Sequence, residues 1–323
     1  MIPIRDQLQS KSYPAVTYGI IGLNVLVFLY ESMQGENLER FIYAYGLVPA
    51  RYAVPEIAAR FTFGEQAFAL LSFMFLHGGV LHLLGNMWSL YIFGDNVEDR
   101  MGATRFLAFY LLCGWISGFA HLWSNWGSAV PTIGASGAIA GVMGAYFILF
   151  PRARILTLIP ILFIPYFIEI PAVVFLGIWL LFQFFYASLP GPEGGGGIAW
   201  WAHIGGFLFG MIAAKLFSRL PESRIDEKLG EAFARRSTPR LQRIAPSAGG
   251  DDLDLHGVVM ITAREARKGT RKMINVPGDA ARRTFMVTIP PDTQDGTKIR
   301  LAGLGRKDGG RMGDIYLTIT VEG

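Results

Sequence analysis

Six stretches of the chain read as apolar helices: about Ala15 to Ser32, Val80 to Val97, Ala103 to Trp123, Ser136 to Phe150, Pro171 to Ala187 and Ile198 to Phe217. Runs of this length approach the roughly 20 residues that a helix needs to cross about 30 Å of hydrocarbon. The fourth is short, because residues 136–150 at 1.5 Å each reach only about 22 Å. Its start must therefore lie below the membrane surface. A helix start buried there exposes free backbone N–H groups, which are tolerated only against protein or in a water-filled cavity. The pattern predicts a sunken, wet cavity at Ser136.

After Leu216 the pattern changes. Residues 218–250 are charged and rich in Arg, Pro, Ser and Gly, as expected of a surface helix followed by a linker. From Asp251 onward, short alternating runs such as Val258 to Thr262, Thr284 to Ile289 and Asp314 to Val321 read as strands. Pro-Gly, Pro-Pro, Asp-Gly and Gly-Gly turns separate them. The expected architecture is a membrane all-α bundle of six transmembrane helices over residues 1–217, a linker over 218–250 and a small, mostly β soluble domain over 251–323. No internal repeat is present.

Composition sharpens this picture. The chain of 323 residues is 52% hydrophobic and 17% charged, too apolar for a soluble protein of its length. Of its 29 Lys and Arg residues, 19 follow Leu216, so the net charge of +4 describes neither half. The cations are mixed with acids rather than gathered in a basic run, which argues against nucleic-acid binding. A single cysteine, Cys113, lies in an apolar helix and excludes an internal disulfide.

Charge also orients the chain. Arg100 and Arg105, Arg152 and Arg154, and Lys215, Arg219 and Arg224 follow the second, fourth and sixth spans, whereas 124–134 and 190–197 hold no Lys or Arg. The positive-inside rule then makes both termini cytoplasmic, with the polar N-terminal stretch preceding a retained first span. The loop carrying Arg40, Arg51 and Arg60 is the exception, and its mixed charge predicts a segment folded on the membrane surface.

Polar residues inside apolar spans are functional by default. His82 and Asn86 near the start of the second span, Ser136 at the start of the fourth and His203 early in the sixth all fall on the external side, at similar depth. A serine needs a base to take its proton, and neutral imidazole is the usual one near pH 7. Ser136 and His203 fit nucleophile and base. The backbone N–H of Ser136 at a helix start, with His82 and Asn86 four apart on one helical face, could hold an oxyanion. Gly137 with Gly141, and Gly206 with Gly210, form two G-x-x-x-G pairs that let the fourth and sixth helices pack closely. No carboxylate accompanies His203 in its span, so a dyad is expected rather than a triad. The H-E-x-x-H pattern of zinc proteases is absent, and neither metal nor cofactor is expected.

Gly134-Ala135-Ser136-Gly137, the His82-x-x-x-Asn86 helix and Ala202-His203-Ile204-Gly205-Gly206 together resemble the signature set of rhomboid proteases, over roughly residues 15–217. Phe75-Leu76-His77-Gly78-Gly79 and Phe93-Gly94-Asp95-Asn96-Val97-Glu98 are similar to rhomboid sequence too. The resemblance implies a membrane-embedded serine endopeptidase that cuts transmembrane protein substrates near the outer face, in a bacterial plasma membrane. One departure is Ala140, where some members carry an aromatic residue that stacks on the histidine. Trp200 or Trp201 is expected to orient His203 instead. His77 is expected to shape the loop entering the second span, His121 to cap or pack the third, and Glu169 to sit at the interface. The Gly194 to Gly197 run, with the span before it, is a candidate gate for lateral entry.

Ile261-Thr262-Ala263-Arg264-Glu265-Ala266, Ile289-Pro290-Pro291, Gln294-Asp295-Gly296-Thr297 and Gly313-Asp314-Ile315-Tyr316 resemble the C-terminal domain of DnaJ-type co-chaperones, in a single copy. That resemblance implies binding of unfolded peptides or clients by strand addition. The His-Pro-Asp motif of a J domain does not occur. The competing reading of the chain is a non-catalytic, rhomboid-like membrane chaperone or adaptor. Retention of both Ser136 and His203 favours the enzyme.

Overall fold

The computed structural model describes residues 1–8, 10, 12–161, 164–189, 199–220, 225–226, 241–243, 253–276, 283–308 and 311–322. Residues Met1–Arg235 form one compact unit and Arg236–Gly323 another. The glycine run at 194–197, residue Ile198 and most of the segment 218–250 lie outside the described residues.

The first unit begins with strand β1 (Ile2–Asp6) and helix α1 (Ala15–Ser32). Four short helices follow: α2 (Leu38–Tyr45), α3 (Ala50–Ala53), α4 (Pro55–Ala58) and α5 (Phe63–Ser72). Then come α6 (Val80–Met101), α7 (Ala103–Ser124), α8 (Ser136–Leu149), a hairpin of β2 (Arg154–Ile161) and β3 (Ile164–Pro171), α9 (Ala172–Ala187) and α10 (Trp200–Phe217). All six apolar stretches are thus helical. By length and composition α1, α7 and α10 can each cross a membrane, and α5 with α6 makes a fourth candidate bent by 80°. Helices α8 and α9 are apolar but shorter.

Helix α8 is central. Its residues from Gly137 to Tyr146 are all buried, against α10 on one side and α6 and α7 on the others. Glycine makes the α8–α10 approach possible: a Cβ added at Gly206 would overlap the Gly137 carbonyl, and one at Gly210 the Gly141 carbonyl. Backbones that close leave no room for any side chain. Gly137 and Gly141 also face Ser117 and Cys113 of α7. At the opposite end from Ser136, Glu98 accepts hydrogen bonds from Val16 N, Thr17 N and Thr17 Oγ1, so a carboxylate of α6 caps the start of α1.

The all-α expectation for this unit needs correcting. Strands β1, β2 and β3 form an antiparallel sheet in that order. Residues 154–170 form an apolar run rich in Ile, and such a run does not reveal by periodicity whether it is helix or strand. Pro160, Pro165 and Pro171 exclude a regular helix there. Glu169 lies exposed on β3, at the entrance to α9, which starts at Ala172.

The segment α2–α5 has a packed interior of its own. Arg51, fully buried, donates to the Tyr43 and Ala44 carbonyls and stacks 3.8 Å over the Phe61 ring. The cation is therefore held by local structure. Thr62 and Glu65 form a capping box at the start of α5.

The second unit contains β4 (Leu241–Arg243), β5 (Leu255–Thr262), α11 (Ala263–Lys268), β6 (Thr270–Val276), β7 (Arg283–Ile289), β8 (Lys298–Leu301), β9 (Lys307–Asp308), β10 (Arg311–Met312) and β11 (Ile315–Glu322). It is strand-rich, with sheets ordered β5-β11-β8 and β4-β6-β7. Alternate residues Leu255, Val259, Ile261, Ile315, Leu317 and Ile319 bury one face in a small core. Buried Lys272 pairs with Glu265 at 2.6 Å, and Glu265 also completes the capping box of α11.

Candidate active site

The loop before α8 is constrained at Gly134, whose φ of +129° suits only glycine. A Cβ there would come within 2.9 Å of the His82 ring. The Gly134 N–H donates to the Phe73 carbonyl at 2.8 Å, which anchors the turn that presents Ser136.

Ser136 Oγ lies 2.8 Å from His203 Nε2. The other ring nitrogen, Nδ1, lies 2.8 Å from Gln183 Oε1 on α9. Gln183 Nε2 donates to the Trp179 carbonyl at 3.2 Å, which leaves Oε1 facing the histidine. An amide oxygen only accepts, so His203 carries its proton on Nδ1 and turns the lone pair of Nε2 toward the serine hydroxyl. This is the tautomer a general base requires. The Trp179 ring packs beside His203 at a centroid distance of 5.9 Å, and Trp200 meets it edge-on at 6.2 Å.

Trp200 therefore touches the histidine as expected, whereas Trp201 is 44% exposed. Gln183 and Trp179 were missed. Gln183 stands in the otherwise apolar run Ala172–Ala187, so the rule that picked out His82 and Asn86 would have found it too.

Asn86 is 8% exposed, and its Nδ2 is buried without a hydrogen-bond partner. An unspent buried donor costs free energy unless something accepts from it. His82 Nδ1 lies 3.4 Å from the Gly78 N–H, and its ring meets His77 edge-on at 5.1 Å. Both side chains line a cavity of about 510 Å³ with Ser136, His203, Ser117 and Thr132. Such a cavity has ample room for water.

His77 and His121 support the walls. The His77 N–H donates to buried Glu31 of α1 at 3.0 Å. His121 Nε2 lies 2.6 Å from Thr132 Oγ1, tying α7 to the loop before Ser136. Among the described residues no group of three His, Cys, Asp or Glu side chains is placed to share a metal.

Comparison with known families bears on the same residues. Residues 64–220 match the model of the Rhomboid domain, and residues 255–323 match that of the DnaJ C terminal domain. The chain is a rhomboid domain fused to a DnaJ C-terminal domain. Among curated relatives, it is 28% identical over 232 residues to "Rhomboid protein 1, mitochondrial" of Saccharomyces cerevisiae, covering 69% of this chain and 59% of that protein. It is 32% identical over 208 residues to "Presenilin-associated rhomboid-like protein A, mitochondrial" of Danio rerio, covering 62% and 47%. The human "Presenilin-associated rhomboid-like protein, mitochondrial" is 32% identical over 151 residues, covering 46% and 35%. The chain thus spans less than two thirds of the length of these relatives. A rhomboid domain with apolar helices of this kind makes it an integral membrane protein.

Proposed function

We propose that this rhomboid protein is an intramembrane serine endopeptidase in which Ser136 is the nucleophile and His203 the general base. The observation that carries the proposal is the 2.8 Å approach of Ser136 Oγ to a His203 Nε2 left unprotonated by Gln183. In the reaction, Ser136 Oγ attacks a peptide carbonyl as its proton passes to His203 Nε2. Negative charge then collects on the carbonyl oxygen, where the Ser136 backbone N–H, Asn86 Nδ2 and His82 are the proposed donors. Collapse of this intermediate breaks the C–N bond, and His203 gives its proton to the leaving amine. Water from the cavity, activated by the same histidine, hydrolyses the acyl-serine and restores the free hydroxyl.

The substrates proposed are transmembrane segments of other proteins. Six spans are proposed, with α8 and α9 completing the set and the short α8 holding Ser136 beneath the surface. Both termini are assigned to the Lys- and Arg-rich side, the cytoplasmic face of a bacterial plasma membrane, by the charge pattern of the loops. The proposed division is a protease domain over 1–217, a linker over 218–250 and a peptide- or client-binding domain over 251–323, the last by its DnaJ-type sequence.

The test is cleavage of a single-span substrate by purified, detergent-solubilised protein. Cleavage by wild type, with none by Ser136→Ala or His203→Ala, is the expected result. Undiminished cutting by Ser136→Ala would remove the mechanism.

A further inference from the structure

The run Phe93-Gly94-Asp95-Asn96-Val97-Glu98 takes no part in the proposed chemistry. Its Glu98 caps α1, and its Asn96 meets the first strand of the chain. Asn96 Nδ2 donates to Asp6 Oδ2 at 2.8 Å. The Tyr146 hydroxyl donates to the same oxygen at 2.6 Å. One carboxylate oxygen of β1 therefore bonds α6 and α8 at once.

Asp6 is held from both sides. Before it, the Pro3 carbonyl accepts from Trp88 Nε1 at 2.6 Å. After it, Ser12 N and Oγ donate to Asp99 at 2.9 and 2.7 Å. Between these two ties to α6, Asp6 pairs with Ile155 of β2, and the Gln7 N–H donates to the Arg154 carbonyl at 3.1 Å. Tyr146 is equally fixed. It is fully buried, edge-on to Phe93 at 5.1 Å and beside Phe150 at 5.0 Å. A hydrogen bond between two such fixed points transmits a displacement instead of absorbing it.

The two helices also reach Asp6 from the same place. Asn86 of α6 and Ser136 of α8 both line the cavity. Ten residues separate Asn86 from Asn96, and ten separate Ser136 from Tyr146, a rise of about 15 Å in each helix. The Asp6 bonds therefore lie equally far from the site along both. Ser136 and Tyr146 are the only side chains of α8 with a hydroxyl, amide or charge; the others are apolar or glycine. Apolar contacts are non-directional, so the directional bonds of the α8 side chains fall near its two ends. Glycine contacts seat α8 against α10, whereas Asp6 ties it to α6, the helix of the proposed oxyanion donors. We propose that Asp6 is a positioning residue, which sets the axial register of α8 against α6 and so holds Ser136 level with the Asn86 amide. This rests on the protease reading above and adds to it a residue remote from the reacting atoms.

The test is steady-state cleavage of the single-span substrate by full-length protein in detergent, with thermal unfolding measured on the same preparations. Asp6→Leu and Tyr146→Phe should each lower kcat by about tenfold to 10²-fold, the scale on which a misplacement of about 1 Å is felt, with KM little changed. Asp6→Asn, which keeps an oxygen acceptor, should retain most of the wild-type kcat. The decisive readout is coupling to the site. In Asn86→Ala protein the donor to be aligned is gone, so the cost of Asp6→Leu should shrink by more than about threefold, whereas independent sites this far apart would add. Losses that add in the double variant would overturn the proposal. So would an unchanged kcat with only a lower unfolding temperature, which would make Asp6 a structural tether of β1. Wild type that does not cut removes the protease reading and this role together; wild type that cuts beside an equally active Asp6→Leu removes the role alone.

Discussion

At the scale of single residues, two side chains do work that their type alone does not reveal. Gln183 is neither acid nor base, yet its carbonyl holds His203 in one tautomer. Gln183→Leu should keep the fold and lower kcat by at least about tenfold, part of the roughly 10²–10⁴ that a positioned base supplies. The check is kcat and KM on the single-span substrate, with KM little changed. Asn86 carries an unpaired buried donor into the cavity. Asn86→Ala should cost about 10²-fold in kcat while slightly stabilising the resting protein, since a buried group without a partner is removed. Rates and thermal unfolding measured on the same preparation separate the two effects. Ser136, His203, His82 and Asn86, the proposed nucleophile, base and oxyanion donors, were legible as candidates in the sequence because polar residues stand out in apolar spans. Gln183 obeys the same rule, but its partner is 20 positions away, and only packing of α9 against α10 joins them.

At the scale of elements, glycines decide how the bundle closes. The α8–α10 contact has no side chain between Gly141 and Gly210. Gly210→Val should force the helices apart and destabilise the protein by about 1–3 kcal/mol, the usual cost of overpacking. Denaturant unfolding in detergent micelles checks this. The paired G-x-x-x-G spacing made that contact readable in advance. The hairpin was not readable. Its residues are mostly apolar on both faces, so neither period dominates, and it becomes a strand pair because three prolines bar a helix and β1 supplies an edge to pair with. Strand β1 itself comes from a stretch read as a polar leader to the first span, and its partner lies about 150 residues away.

At the scale of the whole molecule, two units with unlike physics share one chain. The first is stabilised in an apolar phase by close packing and internal pairing of polar groups. The second is a strand-rich unit with a small apolar core of its own, bounded by charge. There, Asp314 accepts from the Gly303 N–H at 2.7 Å and from Arg300 Nε at 2.6 Å. The Gly303 bond chiefly holds its carboxyl below the ordinary value of 3.8. The unfolded chain takes up this proton first as pH falls. The resulting stabilisation is therefore present above about pH 4 and lost as pH drops through the lower folded value. Amide exchange in β11 should accelerate below pH 4 in wild type, after correction for intrinsic rates, and Asp314→Asn should remove that part of the pH dependence. Because the proposed chemistry uses residues of the first unit alone, protein truncated after Gly250 should still cut the generic single-span substrate. Loss of cleavage on truncation would assign the second unit a share in catalysis.

The order of residues by itself determined which segments are apolar helices, where a polar group interrupts them, and where the membrane unit gives way to strands. These are local properties, set by hydrophobic period, turn residues and charge. Tertiary structure alone decided that Gln183 would meet His203, that Arg51 would be buried under Phe61, and that β1 would pair with β2 beside α6. Each depends on elements far apart in the chain arriving at one place. Distance in sequence carries no information about that arrival; packing does.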